Sequence, residues 1–301
     1  MTQPSSRPSA ARVALGLSVL LAVAWAASAP PTQARRRHTK RAKPPKGMVA
    51  VPATVLHLPV PGGAPSDAPA PQPSGEAPRV ERAVGPFSMD AREVTVAEYR
   101  ACVYAGRCTE PQSGTYFSIA GRRKDWADFC NWGKPARQDH PINCVTQAQA
   151  QTYCRWAGKA LPTEEQWLAA AGAAKDRPYP WGDELRGVDL CWQRRDARQG
   201  TCAVGSHRQD ESPYGALDMA GNVSEWTSSP FCPLDEPACR TPLVVTRGGN
   251  WYNPYSVRRG LARRLERMPD GADHTLGFRC AKARPSKRAS GPGPRPDASR
   301  P

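Results

Sequence analysis

Ten cysteines, and three histidines far apart between residues 79 and 280, are the residues of this chain best suited to chemistry. Thiolates and imidazoles bind metals, and thiols pair as disulfides. No CxxC pair occurs, so zinc lacks its usual two-cysteine grip. The even count reads instead as a disulfide framework. Local spacing suggests Cys102 with Cys108, Cys130 with Cys144, Cys191 with Cys202, and Cys232 with Cys239, which leaves Cys154 and Cys280 over. His140, His207 and His274 each read as structural or surface residues, because a metal site needs convergent ligands. There is no Gly-rich phosphate loop, and no Ser/His/Asp grouping can be argued from spacing.

The elements that must position these residues are legible in part. Thr95 with Glu98, Thr146 with Gln149, and Thr163 with Gln166 form three capping boxes, each opening a predicted helix. Gly106 and Gly158 stop the first two, and the third runs to about Ala171. Pro162 keeps the second helix from running into the third. Strands are predicted at Phe87 to Arg92, Leu243 to Thr246 and Thr275 to Cys280. Residues 176–218 and 231–241 have turn chemistry. The pattern predicts an α+β domain with long ordered loops, and such loops need pins.

Outside this core the composition changes. Residues 1–29 read as a secretory signal peptide, with Arg7 and Arg12 ahead of an apolar stretch from Val13 to Ala26. That stretch is short for a membrane span, which needs about 20 residues. Residues 30–83 read as a linker, first basic and then Pro-rich, and 282–301 as a disordered basic tail. The net charge of +15 sits mostly in these flanks: residues 1–78 carry nine basic and two acidic side chains, and 281–301 carry six and one. The core is left near neutrality, which argues against a nucleic-acid partner. The flanks offer contact to an acidic polymer of the cell envelope.

Four blocks fall in order through the core: Cys154 to Trp167, Tyr179 to Asp183 (YPWGD), Tyr214 to Trp226 (YGALDMAGNVSEW), and Arg247 to Trp251 (RGGNW) followed by Gly277 to Cys280 (GFRC). Arg92 to Tyr99 and His140 to Asn143 fit the same series. Over residues 84–281 this resembles the sulfatase-modifying factor family, whose best-known member is the formylglycine-generating enzyme. The resemblance implies a loop-rich, disulfide-stapled formylglycine-generating-enzyme fold related to C-type lectins, with a disulfide between Cys154 and Cys280.

It also implies structural calcium. The matching positions are Asp218, Gly221, Val223 and Glu225, two carboxylates and two carbonyls, the hard oxygen ligands that calcium takes. A second calcium site would use Asp189 and the Leu190 carbonyl, with its other half in a shortened region near 198–205. The family's active enzymes hold Cu(I) through two cysteines soon after the Gly-Gly pair and oxidise a sulfatase cysteine to formylglycine. Here Asn253 stands in the first position, residues 256–258 cover the second, and no cysteine lies between Cys239 and Cys280. Copper is therefore not expected, since Cu(I) wants soft thiolates.

What remains there are Trp251, Tyr252, Asn253, Tyr255, Arg258 and Arg259, aromatic faces with an amide and cations, a mixture suited to sugars or peptides. The expectation is an exported, monomeric, non-catalytic binding protein of the cell envelope. Its ligand would be a protein, peptide or glycan. The alternatives are an oxidoreductase acting at the same pocket and a structural envelope protein.

Overall fold

The three capping boxes become helices α1 (Val96–Tyr104), α2 (Gln147–Trp156) and α3 (Glu164–Ala171). In each, the threonine hydroxyl accepts from the third helical N–H, and the side chain of that Glu or Gln accepts from the threonine N–H. Gly106 and Gly158 take positive φ just past α1 and α2, as a helix stop requires. The computed structural model describes residues 44–60, 79–111, 116–119, 122–185, 189–192, 200–236, 238–253 and 257–284, with backbone only for 116–119 and 122–125. The predicted signal peptide and most of the predicted basic tail lie outside the described residues.

Eleven strands complete the described fold: β1 (Met48–Val51), β2 (Thr54–Pro59), β3 (Arg79–Val84), β4 (Phe87–Asp90), β5 (Tyr116–Ile119), β6 (Arg122–Asp125), β7 (Ser224–Pro230), β8 (Val244–Arg247), β9 (Leu265–Arg267), β10 (Leu276–Gly277) and β11 (Ala281–Ala283). One sheet sets β4 between β1 and β11, all antiparallel. A second runs β10-β7-β8-β9, with β10 parallel to β7 and the other pairs antiparallel. β2–β3 and β5–β6 form two-stranded ribbons. The architecture is α+β and loop-rich, as predicted, and short of helix.

The linker expected over 30–83 is corrected in part. β1, β2 and β3 lie inside it, and β1 enters the first sheet opposite Phe87 to Asp90. The reason is local. Leu56 and Leu58 alternate with exposed neighbours and bury against Phe87, Met89 and Leu168, a period-2 pattern that the surrounding proline averages away. Residues 61–78 lie outside the described residues.

All five disulfides form as expected, Cys154–Cys280 included. That bridge ties α2 to the segment ahead of β11, across 126 residues of sequence. Around it Tyr99, Tyr153, Trp226 and Phe278 pack a second core. A buried ionic post joins helix to sheet. Glu164, first residue of α3, accepts from Arg247 of β8 and from both Nε and Nη2 of Arg264, at 2.7 and 2.8 Å from the latter.

Candidate functional site

β7 carries Ser224 and Glu225 in succession, so their side chains leave opposite faces of the strand. The turn feeding it is tightly wound. Asp218 and Asn222 both hold positive φ, uncommon for residues with a Cβ and met where the surroundings fix the backbone. Two carboxylates do that fixing. Asp210 accepts from the N–H groups of Ala220 and Gly221. Glu93 accepts from Val223 N–H and from the Asn222 side-chain amide.

On the Glu225 face charge accumulates. Arg279 donates from Nε and Nη2 to Glu225, the closest approach being 2.7 Å, and Trp167 Nε1 donates to the same carboxylate at 2.9 Å. Asp218 Oδ2 accepts from Gly205 N–H. Glu93, Asp210, Asp218, Glu225 and Arg279 are all buried. Four carboxylates thus face one guanidinium. Burial, then the charges of Asp218 and Glu225, holds the Glu93 carboxyl well above its usual range. Burial and Asp218 push Asp210 up to about 7. Burial also raises Asp218, against the Gly205 hydrogen bond. Burial works against the charge on Arg279, yet Glu225 keeps it more basic than usual.

This surplus of buried negative charge fits a bound divalent cation. The four residues expected to hold calcium lie in this one turn and its strand, with Asp218, Val223 and Glu225 buried. Calcium also takes carbonyl oxygens, so the set does not need three clustered acids. Among the described residues, the one group of three metal-type side chains with ligand atoms within 4.8 Å of one another is Cys191, Cys202 and His207, and its cysteines are bonded to each other. Sequence reasoning missed Glu93 and Asp210.

The second expected calcium site finds its groups otherwise engaged. Asp189 Oδ1 lies 3.0 Å from His207 Nδ1, and the Leu190 carbonyl accepts from Trp192 N–H. Residues 193–199 lie outside the described residues.

On the Ser224 face the chemistry is different. Ser224 Oγ accepts from Asn250 Nδ2 at 3.1 Å and from Arg263 Nη1 at 3.1 Å. Asn250 Oδ1 accepts from the N–H groups of Tyr252 and Asn253, which shapes the loop after the Gly-Gly pair. A Cβ on Gly249 would strike the Ala220 carbonyl and Val257, so glycine lets this loop lie against the turn.

Of the ligand candidates, Trp251 is corrected. It is buried, stacks on Phe129 at 5.1 Å and meets His274 edge-on. It packs a small core with the Cys191–Cys202 bridge instead of facing a ligand. Tyr252 is 43% exposed and lies edge-on to Trp126. Asn253 is half-buried and Arg258 is exposed, its carbonyl accepting from Tyr179 Oη. Tyr255 lies outside the described residues. His274, read as a loop residue, is buried and stacked on Trp126 at 4.5 Å.

All ten cysteines lie in disulfides, and none is free. Elsewhere, a shallow groove of about 530 Å³ is lined by Arg137, His140, Thr201, Ser206 and His207 among others.

The pattern described as "Sulfatase-modifying factor enzyme 1-like domain" matches residues 36–284. The formylglycine-generating enzyme of Bos taurus is 30% identical over 293 residues, 80% of this chain and 76% of that protein. The inactive C-alpha-formylglycine-generating enzyme 2 of Bos taurus is 28% identical over 247 residues, 69% of this chain and 80% of that protein. The solved structure of PvdO from Pseudomonas aeruginosa superposes with a TM-score of 0.57 at 25% identity, covering 78% of this chain and 93% of that one.

Proposed function

Because the chain belongs to the sulfatase-modifying factor family, we propose that it is an exported, non-catalytic member of that fold which acts by binding. The observation that carries this reading is the state of its cysteines. All ten are paired, and Asn253 stands where the family's first copper cysteine falls. No thiolate remains to hold Cu(I), and an amide does not replace one. That the family contains a member named as inactive supports the reading.

Asp218 and Glu225, with the carbonyls of Gly221 and Val223, would hold calcium as a structural ion. Its charge would offset the surplus of carboxylates around Arg279, and Glu93 and Asp210 would keep the turn in shape through its N–H groups. The binding surface is the loop of Tyr252, Asn253 and Arg258, and its ligand is a peptide, protein or glycan. Five disulfides suit an oxidising compartment, and no described helix is long and apolar enough to cross a membrane. The basic flanks would bring the domain to acidic polymers of the envelope, where it acts as a monomer.

The test is an assay of cysteine-to-formylglycine conversion on a sulfatase-derived peptide with copper and oxygen supplied. The expected result is no conversion, with calcium as the stoichiometric metal. Turnover, or copper at stoichiometry, overturns the reading in favour of an oxidase.

A further inference from the structure

Arg247, Arg264 and Arg279 each lie against a carboxylate. Arg259, Arg263 and Arg267 do not: among the described residues, no carboxylate comes within ion-pair distance of any of them. They recur every four residues along one stretch, through a turn of 3-10 helix (Gly260–Ala262) into β9.

Of the three Arg263 is buried, and Arg259 and Arg267 are half-buried. Arg263 is only 8% exposed. Its Nη1 donates to the Gly248 carbonyl at 2.7 Å and to Ser224 Oγ, which are dipoles and not counter-charges. The Nε groups of Arg259 and Arg267 are buried and have no hydrogen-bond partner. Burial, then Arg267 and Arg259, pulls Arg263 down to about 9, so Arg263 lies in the field of both neighbours. Buried donors without acceptors and like charges without a counter-ion are both costly, and one ligand group relieves both.

A guanidinium fork fits a planar or tetrahedral group of oxygens, and several forks together favour an oxyanion. The cluster connects to the loop already assigned. Arg263 shares the Ser224 hydroxyl with Asn250, and Asn250 holds the N–H groups of Tyr252 and Asn253. We propose that Arg259, Arg263 and Arg267 bind an oxyanion group, a sulfate, phosphate or carboxylate, carried by the ligand of the Tyr252–Asn253 loop. This rests on the reading of that loop as a binding surface.

The experiment uses the full chain in saturating calcium. Thermal melting and calorimetric titration are run with sodium sulfate, phosphate and acetate, against sodium chloride at equal ionic strength. At least one oxyanion should raise the melting temperature saturably, and the order of the three identifies the group preferred. The double variant R259Q/R267Q should bind it at least tenfold more weakly. R259K/R267K, which keeps charge and loses the forks, should fall between. R155Q, a change on the exposed face of α2, should bind as the parent does. Absence of saturable oxyanion binding in the parent overturns the site, as does equal binding by R259Q/R267Q. If the glutamine variant does not fold, parental affinity in R259K/R267K overturns it. The formylglycine assay on the same preparation separates the two readings. Turnover with oxyanion binding sinks the non-catalytic reading and keeps the site, whereas neither turnover nor binding sinks the site alone.

Discussion

The two faces of β7 hold buried charge of opposite sign. Beyond Glu225 lie three further carboxylates and one guanidinium. Beyond Ser224 lies Arg263, in the field of Arg259 and Arg267, with no carboxylate of the described residues within ion-pair distance of it. The chain could have paired the two surpluses, since Ser224 and Glu225 are adjacent, yet the strand keeps them apart. A surplus on one side that the protein does not neutralise itself points to a partner from outside. The acid face calls for a cation and the arginine face for an anion. Of Glu93, Asp210, Asp218 and Glu225, only Glu225 has an ion-pair partner among the described residues, Arg279.

Breaking that pair is the severest test of the comparison. Arg279→Leu leaves four buried carboxylates with no cation and removes the donor to the Leu217 carbonyl. Loss of one partner of a buried pair costs about 3–5 kcal/mol. Urea unfolding should show a loss of that size, and calcium should restore part of it. A variant as stable as the parent would mean that this face carries no real surplus.

Removing calcium should have the next largest effect. An ion present at about one hundred times its dissociation constant stabilises the folded state by about 2.7 kcal/mol. Each kcal/mol shifts the melting temperature of a domain this size by about 2–4 °C. A chelator should therefore lower the melting temperature of the parent by several degrees and leave Asp218→Ala, which has no ligand oxygen on its side chain, nearly unmoved. An unchanged parental melt would remove the cation from the acid face.

A smaller change tests whether the faces are independent. Ser224→Ala deletes the hydroxyl that accepts from Asn250 and Arg263. Leaving buried donors unmatched costs about 1–3 kcal/mol. Stability should fall by that amount in a urea melt while the calcium-induced shift stays the same. If the calcium shift shrinks with it, the two faces communicate through the strand and are not independent.

The sequence reveals one face far better than the other. Asp218, Gly221, Val223 and Glu225 sit in one short motif, so their grouping needs no knowledge of the fold. Glu93 stands 125 or more residues before that motif and reaches it only through tertiary packing. Its one local signal is an acid placed immediately before the buried Val94 and Val96, where the chain enters α1. Asp210 lies among polar turn residues and looks solvated until its backbone partners are seen. Arg263 and Arg267 are hidden in a basic run where every cation looks alike, because what distinguishes them is the missing carboxylate. Trp251 shows the converse failure. An aromatic beside a family's reactive position reads as a ligand contact, yet Phe129 and His274 cover it from distant segments. The helices were legible because capping boxes are local, and β2 was missed because proline around it dominated the composition.

The smallest predicted effect concerns a weaker version of the arginine face. In the shallow groove, Arg137 Nη1 lies 3.0 Å from His140 Nδ1, and Thr201 Oγ1 lies 2.9 Å from the same nitrogen. Burial first, and Arg137 second, push His140 down to about 4, with Asp139 opposing. A histidine whose folded value lies below its ordinary 6.5 is neutral in the native state. The stability this contributes is present in full above about pH 6.5 and is lost as pH falls towards 4. Melting temperatures measured in saturating calcium, which holds the acid face ionised, should therefore decline over that window in the parent. His140→Gln should flatten this part of the decline. A parental decline identical to that of His140→Gln would show that a buried cation site next to an arginine is tolerated at little cost. Arg259, Arg263 and Arg267 would then require no anion.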